Sequence, residues 1–163
     1  MSSDDFSNRL DAAIQRGRQR GLQEQAAAKQ EAMSEEELRR LHSSYRLALS
    51  DRIEKAVAQL ASHFPGFQTE TLFGEKGWGA ACGRDDLSMD RGRRTNRFSR
   101  LEMTIRPLNE YMVLELKGKG TVSNKEVFNR SHFTELAEAD LSEFERLIDA
   151  WVVEYAERFA TRN

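Results

Sequence analysis

The chain is expected to fold as an α+β domain: an antiparallel sheet of about four to five strands, packed against a long helix from the N-terminal half and an amphipathic C-terminal helix, with a helical arm in front. Three observations predict it. An apolar stripe of helical period runs from Leu38 to Leu60, segments of period two and frequent glycine follow from Phe67 to Arg130, and a second broad helical stripe runs from Leu141 to Phe159. Helices and strands are segregated along the chain rather than alternating as βαβ units, which favours α+β over a parallel sheet.

Residues 4–32 are rich in Gln, Ala, Glu, Lys and Arg and read as helix by propensity. Their apolar content is thin. Phe6, Leu10, Ala13 and Ile14 share one face, then Gly17 and Gly21 interrupt it. This is the pattern of an arm rather than of a core helix, and the expected organisation is an arm over residues 1–33 and a single domain over residues 34–163.

Ser34 with Glu37 forms a capping-box pattern and predicts a helix start there. Leu38, Leu41, Tyr45, Leu49, Ile53, Val57 and Leu60 then keep a 3.6-residue period until His63-Phe64-Pro65-Gly66 stops it. Short strands are expected over Thr69–Phe73 and Trp78–Cys82. A clearer pair is expected over Phe98–Arg106 and Tyr111–Lys117, because Leu101, Met103 and Ile105 alternate with polar residues and Met112, Leu114 and Leu116 mirror them across Pro107-Leu108-Asn109-Glu110. A further strand is expected over Glu126–Arg130, after a turn at Ser123-Asn124-Lys125. The last helix is capped by Asp140, with Glu143 three residues on, and presents Phe144, Ile148, Trp151, Val152, Tyr155 and Phe159 on one side.

Composition bounds the rest. With 25 basic and 27 acidic side chains and a formal net charge of −2, no global field favours nucleic acid or an anionic membrane. The single cysteine, Cys82, has no intramolecular partner for a disulfide, the N-terminus Met1-Ser2-Ser3-Asp4-Asp5 lacks the basic-then-apolar form of a secretory leader, and apolar runs are far shorter than the roughly 20 residues of a membrane helix. A soluble, cytoplasmic protein without membrane contact is the expectation.

Motifs that carry chemistry are scarce. Gly74-Glu75-Lys76-Gly77 has the GXXG form of a phosphate-gripping loop, but its flanks read as strands, so a hairpin turn is the expected role. Gly118 and Gly120 suit a bulge or bend, since the strand, helix and Ser/Thr context of a P-loop is missing. Cys82 lies in an apolar stretch and reads as a small core residue. His42, His63 and His132 are too far apart in sequence for a local metal motif, and His132 is placed to cap or bond the connection into the last helix. No catalytic residue, metal or cofactor is expected.

Two features exceed what folding requires. The Phe6, Leu10, Ile14 stripe gains little unless it docks in a groove, which points to a non-enzymatic interaction domain binding a protein partner or a second copy of itself. Arg91, Arg93, Arg94, Arg97 and Arg100 lie in one short run without an acid, expected as a loop between two strands. Their planar donor forks suit phosphates, so single-stranded nucleic-acid or polyanion binding is the alternative.

Overall fold

The computed structural model describes residues 3–162, apart from the side chains of residues 30–33 and 90. The elements are α1 (Ser3–His63), β1 (Gln68–Leu72), β2 (Trp78–Asp90), β3 (Arg93–Ile105), β4 (Val113–Val122), β5 (Lys125–Glu135), a 3-10 turn (Leu136–Glu138) and α2 (Leu141–Arg162). The α+β class and the five-stranded antiparallel sheet agree with the sequence reading. The chain divides into two compact units, residues 1–39 and residues 40–163.

In the first unit the described backbone is helical from Ser3 onward. The expected helix start at Ser34 is absent, because Ser34 lies inside α1. A capping serine needs non-helical backbone angles. Here strong helix formers on both sides, Ala26-Ala27-Ala28 and Glu35-Glu36-Glu37-Leu38, outweigh a cap worth about 1 kcal/mol.

The second unit begins with the remainder of α1, which buries Leu49, Ile53, Val57 and Leu60. The strands form a meander in the order β1-β2-β3-β4-β5, every neighbouring pair antiparallel. Alternation along β3 and β4 assigns the two faces: Leu101, Met103, Ile105, Leu114, Leu116 and Val122 are fully buried, while Arg100, Glu102, Lys117 and Lys119 point the other way. From α2, Phe144, Ile148, Trp151, Val152, Tyr155 and Phe159 are buried. Helices cover one face and leave the opposite face open, the usual outcome when an antiparallel sheet is apolar on one side only.

Two glycines let α2 approach β4. A Cβ on Gly118 would lie 2.7 Å from Trp151 Cε3, and one on Gly120 would lie 2.9 Å from Tyr155 Cδ2. The Tyr155 hydroxyl then donates to the Thr121 carbonyl at 2.8 Å, so the buried phenol is satisfied. The β4–β5 register also shifts at Gly120/Thr121, so the expected bulge coexists with this packing role.

The turn after α1 is tied down by aromatics. Phe159 sits 4.8 Å from Phe64 and 4.9 Å from Phe67, both edge-on, with the Arg84 guanidinium 4.8 Å above its ring. Arg84 also donates to the Pro65 carbonyl at 2.9 Å. Asp140 caps α2 as expected, its carboxylate accepting from the Ser142 amide at 3.0 Å. Gly74-Glu75-Lys76-Gly77 is the β1–β2 hairpin connection, closed by the Gly77 amide donating to the Gly74 carbonyl at 3.1 Å.

One expectation fails in an informative way. The Arg91–Arg100 stretch is not a loop, since strands β2 and β3 run on to a two-residue turn, Arg91-Gly92, with φ of 51° and 80°. Two positive φ values mark a type I′ hairpin turn, whose twist matches that of the flanking strands. Because β1 pairs only with Gly79–Gly83 and β4 only with Arg100–Ile105, the remainder of β2 and β3 forms a two-stranded ribbon.

Candidate functional site

Three surfaces compete for a role: the arm stripe, the ribbon and the open face of the sheet. In the arm, Phe6, Leu10, Ile14 and Leu22 expose 68%, 50%, 44% and 67% of their surface. Phe6, Leu10 and Ile14 follow one another at spacings of four residues and so form one apolar row along the helix. Charge is unevenly distributed along the same unit. Its first half carries Arg9, Arg16, Arg18 and Arg20 with Asp4, Asp5 and Asp11, and its second carries Glu24, Glu31, Glu35, Glu36 and Glu37 with Lys29 and Arg39.

In the ribbon, residues opposite each other share a face. Asp85, Leu87 and Met89 stand opposite Phe98, Asn96 and Arg94 on the continuation of the open sheet face; Arg84, Asp86 and Ser88 stand opposite Ser99, Arg97 and Thr95 on the other. The first side exposes three apolar side chains, Leu87 at 67%, Met89 at 71% and Phe98 at 40%, among Asp85, Asn96 and Arg94. The second is polar, held by a Ser88–Thr95 hydroxyl pair at 2.7 Å and by Arg84 bonded to Asp86 at 3.0 Å.

The five arginines therefore do not converge. Arg91 is in the turn, Arg93 and Arg97 share one face of the ribbon, Arg94 occupies the other, and Arg97 is directly opposite Asp86. Arg100 lies on the open sheet, engaged at 3.2 Å by Glu70 and at 3.5 Å by Glu102. Sequence reasoning missed the exposed apolar side chains of the ribbon. The signal was there in the period-two spacing of Asp85, Leu87 and Met89, hidden because a ribbon solvated on both faces carries enough polar residues to resemble a loop.

On the open face a groove of about 910 Å³ is lined by the β1–β2 connection and by β3 and β4. Thr104 and Arg106 from β3 and its continuation meet Lys117 and Lys119 from β4, with Thr104 opposite Lys117 and Glu102 opposite Lys119. Arg106 donates to the Lys76 carbonyl at 3.1 Å and anchors the β1–β2 connection to this row of cations. Glu115, on the same face, accepts from the Ser131 hydroxyl.

The remaining chemical groups stay apart. Cys82 is buried and its thiol is pushed up to about 11, chiefly by desolvation, so it is held as the neutral thiol at neutral pH. His63 is exposed at the end of α1, while His42 is buried further back on it. His132 on β5 lies 3.3 Å from Glu143 in the first turn of α2 and packs edge-on against Phe144 at 5.2 Å, a place at the strand-to-helix connection. Burial holds His42 below the usual histidine range, with the nearby Arg46 cation acting in the same direction and a hydrogen bond to the main chain of Arg106 opposing both. Among the described residues no three His, Cys, Asp or Glu side chains are grouped to hold a metal ion, and no helix is long and apolar enough to cross a membrane. The chain matches no family model, no curated protein and no solved structure.

Proposed function

We propose that this chain is a non-enzymatic protein-interaction domain that associates with a second copy of itself through its N-terminal arm. The observation that carries this reading is the exposed Phe6, Leu10, Ile14 row, with 68%, 50% and 44% of each side chain's residue surface open. An isolated helix is marginal in water, and docking an apolar face supplies most of a helix's order in proteins. The charge distribution selects the partner. Two arms side by side in the same direction would set their second halves, with five glutamates against one lysine and one arginine, against each other; two arms in opposite directions set each of these acidic halves against a first half with four arginines and three aspartates. Antiparallel pairing about Gly21 also brings the bulk of Ile14 opposite the small Ala28.

The test is mass by light scattering behind a sizing column, on the full chain and on Leu10→Lys/Ile14→Lys. Both positions are exposed, so the second unit stays folded in the variant. A wild-type mass of twice 18.7 kDa that falls to 18.7 kDa in the variant supports the reading. A wild-type monomer, or a dimer indifferent to the two lysines, rejects it.

A further inference from the structure

The open face of the sheet carries positive charge that the fold itself does not use. Within the groove, Lys76, Lys117 and Lys119 have no ion pair within 4.0 Å among the described residues, and Arg106 is engaged only by a carbonyl, that of Lys76. The acids around them are differently placed. Glu70 and Glu102 share the single Arg100, Glu115 accepts from the Ser131 hydroxyl and keeps its charge, and Glu75 has no partner among the described residues. The groove lining thus carries five cations, Lys76, Arg100, Arg106, Lys117 and Lys119, against the two carboxylates Glu75 and Glu102, on a chain whose formal net charge is −2.

Its geometry is rigid as well as basic. Lys117 and Lys119 are two residues apart on one strand and so emerge on the same face roughly 7 Å from each other. They stand beside Thr104 and Asn129, which offer a hydroxyl and an amide at the level of the sheet. Strands on both sides hold β4 in register, so ordering these cations around a ligand costs the backbone nothing.

We infer that this groove binds a small molecule bearing two or more linked phosphate groups, gripped by Lys76, Arg106, Lys117 and Lys119. Closely spaced cations over a fixed floor favour a compact polyanion, whose successive charges are linked at a similar spacing, over a single carboxylate. Every residue of the site belongs to the second unit.

The experiment is titration calorimetry on the full chain at low salt with inorganic tripolyphosphate and with ATP, repeated on Lys117→Gln/Lys119→Gln and on the ribbon variant Arg93→Gln/Arg94→Gln. All four positions are exposed, and circular dichroism verifies that each variant is folded. Binding of both probes that weakens at least tenfold in the lysine variant and stays within twofold in the ribbon variant is the expected result. No binding of either probe overturns the inference, as does binding unchanged by the lysine substitutions. Tighter binding of poly(U) than of tripolyphosphate, lost in the ribbon variant, also overturns it and moves anion recognition to the ribbon.

Discussion

Asn124 holds Phe98 by both of its main-chain groups: the Asn124 amide donates to the Phe98 carbonyl at 2.8 Å, and the Phe98 amide donates to Asn124 Oδ1 at 2.9 Å. Nδ2 of the same side chain donates to the Asn96 carbonyl at 2.9 Å. Pairing of β3 with β4 ends at Arg100 and Thr121, so this side chain continues the ladder where the neighbouring strand has turned away. It satisfies edge groups at the root of the ribbon and sets the point from which the ribbon extends.

Asn124 also occupies the left-handed region, with φ of 71°, after Ser123 at 48° in a two-residue turn. Asparagine tolerates that region better than most residues, and glycine better still. Asn124→Gly therefore isolates the loss of two side-chain hydrogen bonds, expected at about 1–2 kcal/mol. Asn124→Ala adds the strain of a positive φ and is expected to cost about 1 kcal/mol more. Urea unfolding of the two variants beside the wild type measures both; equal stabilities for alanine and glycine would show that the turn does not enforce its angles.

Gly118 and Gly120 make a second prediction, because the helix-facing side of β4 has no room for a methyl group. Gly118→Ala would drive a carbon to 2.7 Å from the Trp151 ring, and Gly120→Ala would bring one to 2.9 Å from Tyr155 and 3.2 Å from Phe128. Each substitution is expected to destabilise by about 1–3 kcal/mol through overpacking. Trp151 fluorescence and near-ultraviolet circular dichroism should change in Gly118→Ala. A substitution that is neutral in stability would mean that α2 shifts freely on the sheet.

How much of this was legible in the sequence follows from where each residue is buried. Leu101, Met103 and Ile105 alternate with Glu102, Thr104 and Arg106, such a strand has only one way to face a core, and all three apolar residues are completely buried. The Phe144-to-Phe159 stripe was equally plain. The ribbon was not, because beyond its root, where Ser99 is buried, its described side chains are exposed or only half-buried and alternation there has little energetic purpose. The continuous helix through Ser34 was hidden because the capping pattern is a local signal, and the helix formers on either side of it outweigh it. The cations of the groove come from three separate stretches, around Lys76, Arg106 and Lys117, and only the register of the sheet brings them together. Among the proposed sites, the Phe6, Leu10, Ile14 row was visible from spacing alone.

Burial of His42 makes stability depend on pH with a definite sign. Its exposure is only 4% and its folded pKa lies below the unfolded value of about 6.5. As pH falls below about 6.5, the unfolded chain takes up a proton that the folded chain resists, so this residue's contribution is full above that value and is lost progressively below it. The slope from one such group is at most about 1.4 kcal/mol per pH unit. Urea midpoints at pH 7.5 and pH 5.5 should therefore differ more in the wild type than in His42→Gln. Equal differences in the two proteins would show that the folded and unfolded states bind protons alike at this position.

The ribbon arginines provide the test of the alternative function. Arg91, Arg93, Arg94 and Arg97 are exposed, and exposed guanidiniums that neutralise phosphates release counterions, so affinity for a single strand should fall steeply with salt. Their arrangement argues for a weak effect: they are divided between a turn and two faces, and Asp86 stands across from Arg97. At most two or three of them can follow one phosphate backbone, which limits the slope of log K against log salt to about −1.4 to −2.1 for a single strand. Fluorescence anisotropy with labelled oligouridylate from low to moderate salt measures that slope directly. A steeper slope, flattened by Arg93→Gln/Arg94→Gln/Arg97→Gln, would make the ribbon a nucleic-acid arm. A shallow or undetectable slope that these substitutions leave unchanged would place the ribbon's use on its other side, where Leu87, Met89 and Phe98 are exposed.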